Sequence, residues 1–201
     1  DLSNYIFDCH FLPPSNTSNS ADAGKAAGAV AKQKVLVAGA RKQLVDDYLA
    51  GAKTAGLTAE FIAPGLIGPV NAFEMAFPEV FANEVVALVD VGFKSSSICI
   101  LQQGELILSR IVNIGGDRLT TAVAEAISIS YAEAEGIKVG MAGEVEAILE
   151  SVLVPLATEL RASLDFYEHQ QDRPVAQVYM TGGSTRSEFV VQTLQNGLMT
   201  E

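Results

Sequence analysis

No tryptophan occurs in the chain, and cysteine and histidine occur only twice each. Cys9 and Cys99 each sit in an alternating or apolar strand-like run. That is the setting of reduced, buried thiols rather than of a disulfide. His10 and His169 stand apart from them, so zinc-ligand spacing is absent. Basic residues are also scarce: 13 Lys and Arg face 24 Asp and Glu, for a net charge of −11. Such a balance makes the chain a poor candidate for a nucleic-acid binder, which needs clustered cations against phosphate. No apolar run approaches the ~20 residues that span a bilayer. No charged-then-apolar segment stands at residue 1. Asn16-Thr17-Ser18 is a formal glycosylation sequon; without such a segment it reads as chance. No internal repeat and no coiled-coil heptad is evident.

What is present is apolar. Hydrophobic residues make up 49% of the chain and charged residues 18%, and 201 residues suffice for a real core. Part of that surplus is expected to meet a partner or another part of a fold. The chain opens abruptly at Asp1 with strand-like sequence, as a fragment or processed product would.

"YIFDCHFL" (5–12) alternates as a strand does. "PPSNTSNSADAGKAAGAVAKQ" has no periodicity and reads as a loop. "KVLVAGA" from Lys34 reads as a short strand, and Leu44, Val45, Tyr48, Leu49 and Ala52 then form one helical face that Gly56 ends. "LTAEFIAPG" reads as a second strand, making 34–64 a β-α-β unit. A helix over 65–77 is stopped by Pro78. "EVVALVDVG" is a buried strand, and 95–116 holds two more around a turn at Gln103-Gly104. A helix follows from Asp117. Ser130 and Glu133 form a capping box for the next one. A long helix over 144–171, kinked before Pro155, leads to the strand "PVAQVYMTGG", with Ser184 capping a last helix. The pattern is α/β.

Four stretches carry candidate chemistry. In "LVDVGFKSSS" an acid ends a buried strand and a glycine and serines follow. Such an acid can hold a hydrated magnesium ion, and the amides beyond Gly92 can face phosphate; an ordinary hairpin also explains it. In "NIGGDRL" two glycines lead into Asp117, either as a simple helix start or to let a ligand approach. Glu135 and Lys138 share a helix face, either as a surface pair worth about 0.3–0.5 kcal/mol or as a grip on ribose hydroxyls. In "TGGSTRSEF" a helix start can face an anion or a polar edge, and Arg186 can stack on a base. A glycine turn with a surface arginine is the ordinary alternative.

The order of these stretches resembles the second lobe of the actin-like ATPase superfamily: Asp-x-Gly after a strand, Gly-Gly-Asp, Glu-x-x-Lys, then Gly-Gly-Ser-x-Arg. Within it, 34–198 resembles most closely the type IV pilus assembly protein PilM family, whose pattern includes "GEL…R" on the hairpin, "GGDxLT" and "AExxK". The resemblance implies an actin-like ATPase fold with a ribonuclease H-like second lobe. Residues 84–201 would be that lobe (139–172 its helical subdomain), 65–83 a connecting helix, and 1–64 a small inserted β-α-β subdomain of the first lobe.

Carried over by residue, the resemblance implies that Asp90 positions magnesium through water. Gly92, Ser95 and Ser96 would form the second phosphate loop. Gly115, Gly116 and Asp117 would line the cleft, Glu135 and Lys138 contact the ribose or base edge, and Gly182, Gly183, Ser184 and Arg186 hold the adenosine. No catalytic residue is assigned. It further implies a bacterial, cytoplasmic protein, peripheral at the inner membrane. Its partner would be the short cytoplasmic tail of an inner-membrane pilus assembly protein, docked in a groove near 36–57, with a second copy of the chain as another candidate partner.

Two departures limit this. Phe93 and Lys94 replace the small residues usual after Asp-x-Gly. No Asp-x-Gly-x-x-Ser-like hairpin precedes Asp90, so the chain carries at most half of an ATP cleft. A longer parent would bind ATP and magnesium and be at most a weak ATPase; this chain is expected to bind neither tightly and to be inactive. The rivals are a nucleotide-free scaffold of a type II secretion or related system, a fragment of a small-molecule kinase, and a stand-alone interaction module.

Overall fold

The run VVALVDV becomes the central strand of a sheet because branched side chains fill both of its faces. The computed structural model describes residues 2–11 and 35–199, which fall into two units, 1–67 and 68–201. The sequon and the loop of 13–33 lie outside the described residues.

In the second unit, β3 (Val85–Val91), β4 (Ser96–Gln102) and β5 (Glu105–Val112) form an antiparallel meander, and β6 (Gln177–Thr181) joins parallel to β3, giving the order β5-β4-β3-β6. Gln103 and Gly104 both take positive φ (50° and 85°), the two-residue turn whose twist matches a hairpin. One face of the sheet, with Val89, Val91 and Ile98, packs beneath Leu119 and Val123 of α4 (Gly116–Ile127). Leu153, Leu156 and Leu160 of α6 (Glu146–Gln171) and Leu194 of α7 (Glu188–Met199) complete that core. Tyr167 extends it along α6, donating its hydroxyl to Gln102. On the other face Phe73 of α2 (Ile67–Ala76) lies 4.7 Å from the ring of Tyr179. Pro78 both ends α2 and opens α3 (Pro78–Asn83), where a missing N–H costs nothing. Helix α6 runs unbroken through Pro155. Ser130 caps α5 (Tyr131–Gly140) in the expected reciprocal box with Glu133.

In the first unit β1 (Tyr5–Phe11) pairs antiparallel with β2 (Val35–Arg41), and α1 (Lys42–Thr54) follows. Gly56 closes α1 at φ 72°, with the Gly56 and Leu57 amides donating to the Lys53 and Ala52 carbonyls. Residues 57–64 form no strand, so the expected β-α-β unit is instead a β-β-α arrangement. Leu57, Phe61 and Ile62 have the composition of a strand but are exposed and pair with no neighbour; a strand is stable only in a ladder. Cys9 is also exposed, against expectation, because no described residue covers that part of the ribbon. Cys99 is buried, and burial with the nearby Asp90 charge pushes its thiol up to about 11.

Candidate functional site

The C-terminal end of β3 is where the predicted residues gather. Asp90 is the one half-buried residue of the strand, next to its last residue Val91, and Gly92 opens the turn into β4. Three loops are joined at this turn. The Gly116 amide donates to the Gly92 carbonyl (2.9 Å), and the Asp117 amide to the Phe93 carbonyl (2.8 Å). The Ser184 hydroxyl also donates to the Gly92 carbonyl, at 3.2 Å. A residue in "GGD" and one in "GGS" therefore donate to a single acceptor in "VDVG".

The glycines allow this closeness. A Cβ on Gly115 would stand 2.4 Å from the Phe93 carbonyl oxygen, and one on Gly92 would stand 2.8 Å from that of Ser95. One on Gly182 would be 2.5 Å from Asp90 Oδ1 and from the Val91 carbonyl oxygen, and Gly182 takes φ 99°. These three glycines let backbone meet backbone and carboxylate. Gly183 differs: a Cβ there would meet nothing within 4 Å.

Beneath Gly116 lies a polar cluster. Lys138 Nζ donates to Glu135 Oε2 (2.7 Å), to Thr120 Oγ1 (2.8 Å) and, longer, to the Gly116 carbonyl (3.4 Å). Thr120 is fully buried and its hydroxyl also contacts Glu135. Burial raises the Glu135 carboxyl, but the hydrogen bonds from Lys138 and Thr120 outweigh it and hold the group below its ordinary range. The Lys138 side chain is only 16% exposed, so this is not the solvated surface pair that spacing alone allows. Asp117 accepts a hydrogen bond from the Tyr131 hydroxyl at 2.8 Å.

Asp90 stands differently. It is half-buried, burial alone raises its carboxyl, and no described residue donates to it or pairs with it.

Ser96 is fully buried and donates to the Ile114 carbonyl at 2.7 Å, tying β4 to the Gly-Gly loop, while Ser95 is the half-exposed serine of the turn. One expectation needs correction: Ser184 does not cap a helix. A 3-10 turn over Gly183–Arg186 intervenes and α7 begins at Glu188, because the Ser184 hydroxyl is engaged with Gly92 and that of Thr185 with Gly182. Arg186 is exposed in that 3-10 turn. Phe93 and Lys94 are exposed beside Gly92.

Sequence reasoning missed Thr120 and Tyr131. Thr120 was within reach of it, since it follows Gly116 by one helical turn on the same face. A separate groove of about 480 Å³ between α6 and α7, lined among others by Val154, Ala157 and Phe189, contains none of the predicted residues. Among the described residues no group of three or more His, Cys, Asp or Glu could hold a metal, and no helix is long and apolar enough to cross a membrane.

The sequence matches the family described as Type IV pilus assembly protein PilM over residues 21–201. The fold is similar to that of a PilM-PilN type IV pilus biogenesis complex, with a TM-score of 0.79 and 23% identity over 98% of this chain and 55% of that one. It is also similar to Ta0583, an archaeal actin homologue, with a TM-score of 0.50 and 12% identity over 71% of this chain and 49% of the other. Cell division protein FtsA of Bacillus subtilis (strain 168) is 33% identical over 70 residues, 35% of this chain and 16% of that protein. The chain thus spans about half of the PilM structure it matches. The fold is actin-like, and with 181 of its residues in the match the chain belongs to the type IV pilus assembly protein PilM family.

Proposed function

We propose that this chain is part of a nucleotide-linked scaffold of type IV pilus assembly. Its second unit supplies the second-lobe half of an ATP and magnesium site. Its first unit offers the docking surface for the cytoplasmic tail of an inner-membrane pilus protein. The observation that carries the nucleotide half is the convergence on the Gly92 carbonyl: Gly116 and Ser184 bond to it directly, and Lys138 and Glu135 lie just below.

The donor set fits the group. Asp90 is an unpartnered hard oxygen donor in a half-buried place, which suits a hydrated magnesium ion. The outward Gly183 leaves room for a ring or sugar, and Lys138, Glu135 and Ser184 offer a donor, an acceptor and a hydroxyl to a polar edge. The bound group would supply the charge that separates two states of the scaffold. Asp90, Gly92, Ser95, Gly115, Gly116 and Asp117 would face its phosphate side, and Glu135, Lys138, Gly182, Gly183, Ser184 and Arg186 its nucleoside side. On this reading the protein works in the cytoplasm, at the inner membrane through its partner. The PilM structure it resembles is a complex with PilN, which supports a membrane pilus protein as that partner. Tyr5, Arg41, Lys42 and Asp46 line a depression of about 460 Å³ in the first unit that would receive part of the tail.

The test is binding of a fluorescent ATP analogue, with and without magnesium, to this chain and to the longest natural polypeptide that contains it. Magnesium-dependent binding that Asp90→Ala abolishes is expected in the longer protein. Binding indifferent to both would remove the nucleotide half of the proposal. A second reading, a scaffold that binds no nucleotide, is favoured by exposed Phe93 beside Gly92 and by the sealed Ser96 hydroxyl. Tail-peptide binding without any nucleotide binding would select it.

A further inference from the structure

Below Gly116 there are more acceptors than protons to serve them. The Thr120 hydroxyl lies 3.0 Å from the Gly116 carbonyl oxygen and is also within bonding reach of Glu135 Oε2. A hydroxyl carries one proton, so it serves one of these acceptors at a time. Lys138 Nζ donates to the same hydroxyl oxygen at 2.8 Å, which keeps that oxygen between the two. Thr120 is fully buried, so the choice is made inside the protein. A carboxylate is the stronger acceptor, and in the free protein Glu135 draws the proton.

What depends on the choice is the turn after β3. The Gly116 carbonyl and the Asp117 N–H belong to one peptide group, and that N–H donates to the Phe93 carbonyl at 2.8 Å. A peptide that accepts a hydrogen bond at its oxygen donates more strongly at its nitrogen, because each bond polarises the next. With the Thr120 proton on Gly116, a continuous chain runs from Thr120 through the Gly116–Asp117 peptide to Phe93. With the proton on Glu135, that chain loses its first member. One acceptor therefore leads to the β3–β4 turn and the other belongs to α5. The Glu135 side chain is 45% exposed, so it can be engaged from outside where Thr120 cannot.

We propose that Thr120 is a positioning residue whose single hydroxyl proton couples Glu135 to the β3–β4 turn. A donor that engages the Glu135 carboxylate from outside weakens its hold on the Thr120 proton. The proton then turns to Gly116, and the Asp117–Phe93 bond tightens. That the outside donor is a ligand of the cleft rests on the nucleotide reading above; the relay within the chain does not. Thr120 touches no ligand itself.

The test is hydrogen exchange at the Asp117 amide of the 201-residue chain, without nucleotide, read against the amides of the β3–β4 ladder. Glu135→Gln weakens the competing acceptor and should slow Asp117 exchange about 5-fold, the worth of one hydrogen bond. Beside Thr120→Val, which keeps the shape and removes the proton, Glu135→Gln should change nothing. Beside Thr120→Ser the slowing should return. A role in packing alone would give additive effects instead. An equal response to Glu135→Gln with and without the hydroxyl would overturn the relay. If Thr120→Val does not fold, Glu135→Gln decides alone: the Asp117 amide proton should move downfield, and an unmoved or upfield signal overturns the proposal. A working relay beside a failed ATP-analogue assay would remove the ligand reading and leave Thr120 its role.

Discussion

The two units of this chain are built from similarly apolar sequence and use it in opposite ways. In 68–199 the sheet is covered on both faces: Val86, Val89, Ile98, Ile100, Leu101, Leu153, Leu156 and Leu160 are all fully buried. In 2–11 and 35–67 no described residue is buried, and Phe7, Phe11, Val37, Tyr48 and Phe61 are exposed. A four-stranded sheet between helix layers encloses its own core, whereas a two-stranded ribbon with one helix cannot. The polar site lies in the self-sufficient unit, where hydrogen bonds tie its loops to the end of β3. The apolar surface lies in the unit whose described residues do not cover it, as a docking surface would.

The largest expected effect tests the rigidity of the site. Gly182→Ala would force a Cβ to within 2.5 Å of Asp90 Oδ1 at φ 99°. Steric overpacking and the positive φ each cost about 1–3 kcal/mol. Denaturant unfolding of the chain should show a loss of roughly 4 kcal/mol. Gly183→Ala, one residue on, meets open space and should stay within about 0.5 kcal/mol. Equal losses for the two would mean that the Gly-Gly turn is not organised around Asp90.

The next effect sharpens the contrast between the units. Leu160→Ala in α6 removes a wholly buried side chain and should cost about 2–5 kcal/mol. Leu49→Ala in α1, where the leucine is 43% exposed, should cost less than about 1 kcal/mol. Near-equal losses by the same denaturation assay would show that α1 is covered in solution.

Much of the second unit was legible because its signals are local. The Gln103-Gly104 turn, the Ser130–Glu133 box, the stop at Pro78 and the buried run of β3 each rest on neighbours within a few residues. The Asp-x-Gly, Gly-Gly-Asp, Glu-x-x-Lys and Gly-Gly-Ser stretches were legible as a family order, but not how they meet. That depends on hydrogen bonds between residues as far apart as Gly92 and Ser184. The serine run was ambiguous for a physical reason. Successive strand residues face opposite sides, so of Ser96 and Ser97 only one can point inward, and register decides which. Residues 57–64 misled because strand-like composition reports a residue's fit to a sheet, not the presence of a sheet to join.

A smaller effect concerns the cap that sequence and structure agree on. Ser130→Ala deletes the acceptor for the Glu133 amide and should cost about 1 kcal/mol. Because α5 carries Glu135 and Lys138, loss of the cap should also loosen their cluster. Hydrogen exchange of the α5 amides should speed up while that of β3 stays slow. Uniform acceleration across both would mean that α5 does not open on its own.

The smallest effect separates function from stability at Asp90. Burial raises its carboxyl above the ordinary value with no described donor to offset it. The folded state therefore favours the protonated form. The stability this contributes is fully present below the unfolded pKa and is lost as pH rises through the folded one. At neutral pH the ionised carboxylate is a liability, and Asp90→Asn should raise the melting temperature slightly. Below about pH 4, near the ordinary carboxylate range, the two proteins should converge. In the longer protein the same substitution should abolish magnesium-dependent nucleotide binding, so stability would rise as binding falls, the direction expected where a site is kept at the expense of the fold. A lower melting temperature for Asp90→Asn at neutral pH would show that the carboxylate already has a stabilising partner in the free protein. The reading of Asp90 as an open ligand for a cation would then lose its basis.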